Sequence, residues 1–235
     1  MLRRYLGRGK GVVIKSFPDL NESYTRKISE LSPDYVIVLD KPLISEKFLS
    51  FLEEHSLPLI WIDHHPVQEI KNSLAHYFNP LNGEKPSNEP TSYWCYKIAN
   101  KKEDIWLGVI GCIGDWFLPE FISEFQEKYP DLLEKKHTAA EILYGTKIGK
   151  IANVLSFALK DRTTNVLIML KILLKIKSAY ELFEEDKMKP IYTRYNQINA
   201  KYSKLLEKAK ELAKYTKKFF IFKYSGDLSI SGELS

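Results

Sequence analysis

The chain has 235 residues, 44% of them hydrophobic and 28% charged, a composition that buries a core and excludes wholesale disorder. Its length exceeds the usual size of one domain, so one large α/β domain with an appendage is expected. The net charge of +5 is unevenly placed: residues 186–218 hold ten Lys/Arg against three Asp/Glu, a local excess that suits a polyanion, while the remainder is close to neutral. The charged opening, Met1-Leu2-Arg3-Arg4, has no apolar stretch behind it and reads as no secretory signal. The longest apolar run, 105–118, is interrupted by Asp115 and falls short of the roughly 20 residues that span a bilayer, so a cytoplasmic protein without a membrane segment is expected. Cys95 and Cys112 each lie in apolar surroundings and read as small buried hydrophobes, with no disulfide or zinc site implied.

In chain order, residues 2–6 form a fragment of helix closed by Gly7, with a stop signal and no start signal. Val12 and Val13 suggest a strand over 11–17, and 21–31 a helix ended by Ser32-Pro33-Asp34. The apolar run from Tyr35 to Leu39 stops at Asp40, 45–55 is an amphipathic helix, and 59–62 is a second apolar strand that stops at Asp63. Two short apolar strands around a helix describe a βαβ unit in a parallel sheet covered on both faces. Residues 79–90, with three prolines and one glycine, form a loop, and 91–99 and 103–113 read as helices, the second ending at Gly114-Asp115. Beyond Pro130 the pattern is helical: 138–159, 164–176 and a long element over about 188–216. In that last helix Ile191, Tyr195, Ile198, Tyr202, Leu205, Ala209 and Leu212 alternate steps of four and three, one apolar seam opposite the lysines. Residues 219–224 suggest a new strand. The fold class is therefore α/β, a parallel sheet with flanking helices over 1–130, then a helical region with a long basic connecting helix over 131–218, then the start of a further domain over 219–235.

Parallel sheets bind ligands beyond the carboxyl ends of their strands, and that is where Asp40 and Asp63 fall. His64 and His65 follow Asp63 directly, so one strand end brings a carboxylate and two imidazoles. Carboxylate oxygen mixed with imidazole nitrogen suits Mn²⁺ or a similar divalent ion, and two such ions can clamp a phosphodiester. Taken singly, each residue has a plainer reading: an aspartate at a strand end caps a helix or makes a turn, and Asp115 is a solvated turn residue. His55, His76 and His137 lie outside the constellation.

Together the residues resemble a family. Val36-Ile37-Val38-Leu39-Asp40 resembles the second motif of the DHH phosphoesterases, Trp61-Ile62-Asp63-His64-His65-Pro66 the motif that names them, and Gly111-Cys112-Ile113-Gly114-Asp115 the fourth. Asn79-Pro80 and Pro90-Thr91-Ser92-Tyr93 resemble the stretch between the third and fourth. The resemblance covers about 1–160 and implies that Asp40 bridges two Mn²⁺ (or Mg²⁺) ions, that His64 and Asp115 ligate one of them, that His65 faces the scissile phosphate as a catalytic group, and that Asp63 orients the site or adds a ligand. The reaction implied is metal-assisted attack of water on phosphorus. The family's first motif, a histidine with two aspartates, has no counterpart before Asp40, and its C-terminal glycine-rich motif (the DHHA1 domain) is also missing. An upstream segment or a partner chain is therefore expected to supply the first motif, and the chain alone to be nearly inactive.

Three functions fit. The first is a RecJ-like exonuclease or oligonucleotide phosphodiesterase of archaeal type acting on single-stranded DNA or RNA, with Lys201, Lys204 and Lys208 of the basic helix contacting the strand. The second is a non-catalytic replication scaffold of the Cdc45 kind, partnered by replication-complex proteins. The third is a pyrophosphatase or polyphosphatase built on the same metal motifs. For the lysine helix the alternative is a solvated face whose seam packs on other helices.

Overall fold

The computed structural model describes residues 1–134, 138–213 and 221–224. The chain divides into two compact units, Met1–Pro130 and Asp131–Ser235. In the first, α1 (Leu2–Leu6) stops at Gly7, whose φ of 69° lets its N–H reach back to the Arg3 carbonyl. Then come β1 (Asp19–Leu20), α2 (Thr25–Leu31), β2 (Val36–Leu39), β3 (Leu43–Ile44), α3 (Glu46–Glu54), β4 (Leu59–Ile62), β5 (Ala75–Phe78), α4 (Thr91–Ala99), α5 (Ile105–Gly114) and α6 (Ile122–Lys128). The α3 helix starts where sequence chemistry puts it, with Ser45 accepting a hydrogen bond from the Phe48 N–H.

Strands β2, β4 and β5 form a parallel sheet in that order, with Val36 opposite Leu59 and Leu59 opposite Ala75. One face is closed by α3: Phe48, Leu49 and Leu52 pack with Val38, Leu59 and Trp61 in one buried cluster. A fully buried side chain of this size contributes about 1.5–3 kcal/mol, so this face carries much of the unit's stability. The opposite face is covered less completely than a doubly layered parallel sheet would be. Ile37, Ile60 and Ile62 line a trough of about 400 Å³ whose other walls include Leu2, Tyr5 and Leu6 of α1 and Ile98 of α4. Among the described residues β2 and β5 are the edge strands, and β4 is central.

Three expectations change. Residues 11–16 take no regular structure, because Val12 and Val13 find no strand to pair with; instead the two-residue β1 pairs in parallel with β3. β5 answers to no element read in the sequence. At the chain's end, residues 221–224 are not a strand, and 219–220 lie outside the described residues.

The second unit is helical among its described residues: α7 (Ala139–Gly145), α8 (Lys147–Leu159), α9 (Thr163–Leu173) and α10 (Glu185–Ala213). The single helix expected over 138–159 breaks at Thr146, whose hydroxyl accepts from the Gly149 N–H and so caps α8. Gly149 permits the break, since a Cβ there would sit 2.0 Å from the Ile142 carbonyl oxygen. The apolar seam of α10 packs on α8: Phe157 meets Tyr195 and Tyr202 edge to face, and Ile191 and Ile198 are buried. Lys201, Lys204 and Lys208 stand on its exposed side.

Candidate metal centre

Backbone pairing sets the site. The Asp40 N–H donates to the Ile62 carbonyl at 3.0 Å and the Asp63 N–H to the Phe78 carbonyl at 3.1 Å, so the residues after β2, β4 and β5 line up along one sheet edge. Asp40 has a φ of 55°, a left-handed turn that aspartate tolerates better than most residues. The turn is held from below, where the buried Trp61 indole donates to the Lys41 carbonyl at 3.0 Å and Tyr77 stacks on that indole at 3.9 Å. The fully buried Trp61 thus fixes the backbone that presents Asp40.

His64 Nε2 lies 3.3 Å from Asp40 Oδ1, and the Thr91 hydroxyl donates to the same oxygen at 3.2 Å. Partial burial works against the charged form of Asp40, yet the His64 hydrogen bond, the His64 and His65 charges and Thr91 together hold the carboxyl below its ordinary value. The same hydrogen bond raises His64. Asp63 is fully buried and turns inward: its two oxygens accept from the His65 backbone N–H and from Nδ1, each at 2.9 Å. This leaves His65 Nε2 as the ring nitrogen directed away from Asp63. Asn79, itself buried, donates to the His65 carbonyl at 2.8 Å and to the Tyr77 hydroxyl at 2.9 Å, tying the loop after β4 to the end of β5.

Asp115 arrives from a different direction, as the C-cap of α5. α4 and α5 approach closely where Gly111 meets Ser92, since a Cβ on Gly111 would lie 2.4 Å from the Ser92 Cβ. That contact brings the end of α5 toward the same edge as Thr91. Desolvation by the surrounding chain and the facing Asp40 charge push the Asp115 carboxyl up to about 6. The negative end of the α5 dipole adds to the crowding of negative charge.

The structure therefore brings Asp40, His64 and His65 together, with ligand atoms within 4.8 Å of one another, a spacing that can hold one ion. Asp115 lies beyond that group but within electrostatic reach of all three. The sequence reading assigns His65 to the phosphate and Asp115 to the metal; in the structure the His65 ring stands beside Asp40 and His64, and Asp115 lies outside that group. The donors fit Mn²⁺ or Mg²⁺: hard oxygen with imidazole nitrogen, and two mutually repelling carboxylates that a divalent cation between them would relieve. Thr91 and Asn79 were visible in sequence only as part of a resembling stretch; their hydroxyl and amide, aimed at Asp40 and His65, gave no local signal. Lys201, Lys204 and Lys208 belong to the second unit and are described there.

No known family model matches the chain, and no curated protein matches it. Among solved structures it is similar to RecJ in complex with Mn²⁺ from Thermus thermophilus, with a TM-score of 0.54 and 13% identity over 83% of this chain and 32% of that one. The chain thus spans about a third of that protein's length. No helix among the described residues is long and apolar enough to cross a membrane. A parallel sheet flanked by helices gives the chain a fold similar to that of RecJ.

Proposed function

We propose that the first unit is the metal-dependent part of a phosphodiester hydrolase of the RecJ-like kind, with a single-stranded nucleic acid as substrate. The observation that carries this reading is the cluster of Asp40, His64 and His65 at the carboxyl edge of the sheet, with His65 pinned by the buried Asp63. A bound divalent ion would supply Lewis-acid activation of water and charge neutralisation at the phosphate. Asp40 and His64 would hold it, with Asp115 completing the negative lining.

The residues themselves do the positioning. Asp63 fixes the His65 ring so that Nε2 meets a leaving oxygen in a set orientation, and a protonated His65 can donate to that oxygen. Thr91 and the Trp61 indole hold Asp40 in one rotamer and one backbone turn. A segment or partner carrying further metal ligands would raise activity above that of this chain. The lysines of α10, exposed and in excess over acids, would add salt-dependent affinity for the strand.

The test is hydrolysis of a labelled single-stranded oligonucleotide with Mn²⁺, by this chain alone and with a RecJ-like first-motif segment added, beside inorganic pyrophosphate as competitor substrate. The reading expects Mn²⁺-dependent cleavage that Asp40→Ala abolishes and that the added segment stimulates. Turnover of pyrophosphate with no cleavage of the strand would replace it by the small-anion reading. Reversing Lys201, Lys204 and Lys208 to Glu is expected to weaken strand binding at least about tenfold at low salt, on the order of 1.4 kcal/mol.

A further inference from the structure

Lysine is rarely buried, because its ammonium loses water on leaving the surface. Lys41, the residue after Asp40, is nevertheless only 7% exposed. Its ammonium donates to the Ser16 carbonyl and lies 5.6 Å from the centre of the Phe17 ring. Burial holds its pKa below the ordinary lysine value, with the nearby Asp19 charge acting in the opposite direction. A charge desolvated in this way to reach a neutral carbonyl ties the segment that carries the carbonyl to the lysine's own backbone.

That segment is firmly held. The Lys15 and Ser16 N–H groups donate to the Tyr24 hydroxyl at 2.8 and 3.3 Å, and the Ser16 hydroxyl donates to the Asp19 carbonyl at 2.6 Å. Tyr24 packs against the buried cluster that α3 forms with the sheet. β1 then pairs with β3, Leu20 opposite Ile44, and both side chains belong to the same cluster. Residues 15–20 are thus joined to 41–45 at both ends, by the Lys41 ammonium and by the Ser45 N–H, which donates to the Leu20 carbonyl at 3.0 Å. The left-handed turn at Asp40 immediately precedes this joint, and such a turn persists only where its surroundings over-determine it. Lys41 is gripped twice, at its carbonyl by the Trp61 indole and at its ammonium by Ser16.

We infer that Lys41 is a positioning residue for the metal centre: by tethering the turn after β2 to residues 15–20, it sets where the Asp40 carboxylate stands relative to His64. The inference rests on the metal-centre reading above and deepens it. It makes residues 15–20, which enter only the two-stranded β1–β3 pair, a buttress for a metal ligand.

Three measurements are compared for the wild type, Lys41→Met and Tyr24→Phe: Mn²⁺ uptake by electron paramagnetic resonance of the free ion, exchange of the Trp61 indole N–H by NMR in metal-free protein, and Tm. Methionine keeps the apolar stem of Lys41 and removes the donor. Lys41→Met is expected to take up Mn²⁺ about tenfold more weakly, and its Trp61 indole to exchange at least about tenfold faster as the acceptor carbonyl loosens. Its Tm is expected to stay within about 3 °C of wild type, because relief of a buried charge offsets the lost hydrogen bond. Tyr24→Phe leaves Lys41 intact but frees the Ser16 backbone, and is expected to weaken uptake about threefold. Should Lys41→Met fail to fold, Tyr24→Phe alone decides, and uptake equal to wild type by Tyr24→Phe overturns the buttress. Wild-type uptake by Lys41→Met, or weaker uptake with unchanged indole exchange, overturns the inference while leaving the metal centre in place. A wild type that takes up no Mn²⁺ removes both.

Discussion

Asp115 in the first unit and Asp161 in the second both stand at or just past the end of a helix, and their surroundings treat them in opposite ways. Asp161 accepts from the Arg194 guanidinium through both of its oxygens, from Asn165 at 2.8 Å and from the Arg162 backbone at 2.7 Å. Its carboxyl is held down at about 2, chiefly by Arg194. Asp115 has no such partner among the described residues, and desolvation with the facing Asp40 pushes it up to about 6. A carboxylate with every lone pair occupied fastens helices together, whereas one held next to another carboxylate is available to a cation. Partnering alone thus separates a carboxylate that fastens helices from one left open to a cation, without reference to any relative.

The largest expected effect lies on the structural side. Asp161→Ala leaves Arg194 without its partner and the start of α9 without an acceptor, and is expected to cost about 2–3 kcal/mol in chemical denaturation, reduced from the value for a wholly buried pair because Arg194 is partly exposed. Asp115→Ala is expected to change stability by less than about 0.5 kcal/mol. Equal losses in the two variants would erase the distinction.

The next effect belongs to the support of the metal site. Thr91→Val keeps the shape of α4 but removes the hydroxyl that donates to Asp40. It is expected to lower Mn²⁺ affinity roughly tenfold, about 1.4 kcal/mol, with thermal stability retained. Unchanged affinity would mean that Asp40 is not held in place by Thr91.

The smallest effect is a difference in pH dependence. Asp161 is lowered from 3.8 to about 2, so its contribution to stability is present above pH 3.8 and lost as the pH falls through about 2. Asp115 is raised from 3.8 to about 6, so its effect has the reverse sign: full stability below pH 3.8, declining as the pH rises through about 6. In metal-free buffer the wild type should therefore lose Tm relative to Asp115→Asn between pH 4 and 6, by about 1–2 °C at most because the group is exposed and solvent-screened. Parallel Tm profiles for the two proteins would show that Asp115 feels no neighbouring charge.

The parts of this architecture legible in sequence are those where one local rule decides. Leu59–Ile62 is wholly apolar and ends in Asp63, so both the strand and its functional end are readable, and Ser45 and Gly7 mark their helix boundaries by chemistry alone. β5 was missed because Ala75, His76, Tyr77 and Phe78 show no apolar run; only pairing with β4 makes them a strand. The expected strand at 11–17 failed for the converse reason, since β-branched residues without a partner do not make a sheet. The break at Thr146 is written in Gly145-Thr146 and Gly149, but it becomes decisive only when α8 must approach the Ile142 carbonyl. At the site, Asp40, Asp63 and His64 were readable as strand-end residues. The approach of the His65 ring to Asp40 and His64 and the hydroxyl of Thr91 depend on tertiary geometry that no spacing encodes.

The proposed function depends on Asp40 and His64, with His65 beside them, holding a divalent metal. Electron paramagnetic resonance of free aqueous Mn²⁺, titrated into the wild type and into Asp40→Ala at equal concentration, reads that site without needing catalysis. The expected result is stoichiometric loss of the free Mn²⁺ signal with the wild type and at least about tenfold weaker uptake by Asp40→Ala, the cost of removing a charged oxygen ligand. Identical, undiminished free Mn²⁺ signals in both titrations would contradict the metal centre and favour a non-catalytic scaffold with this fold.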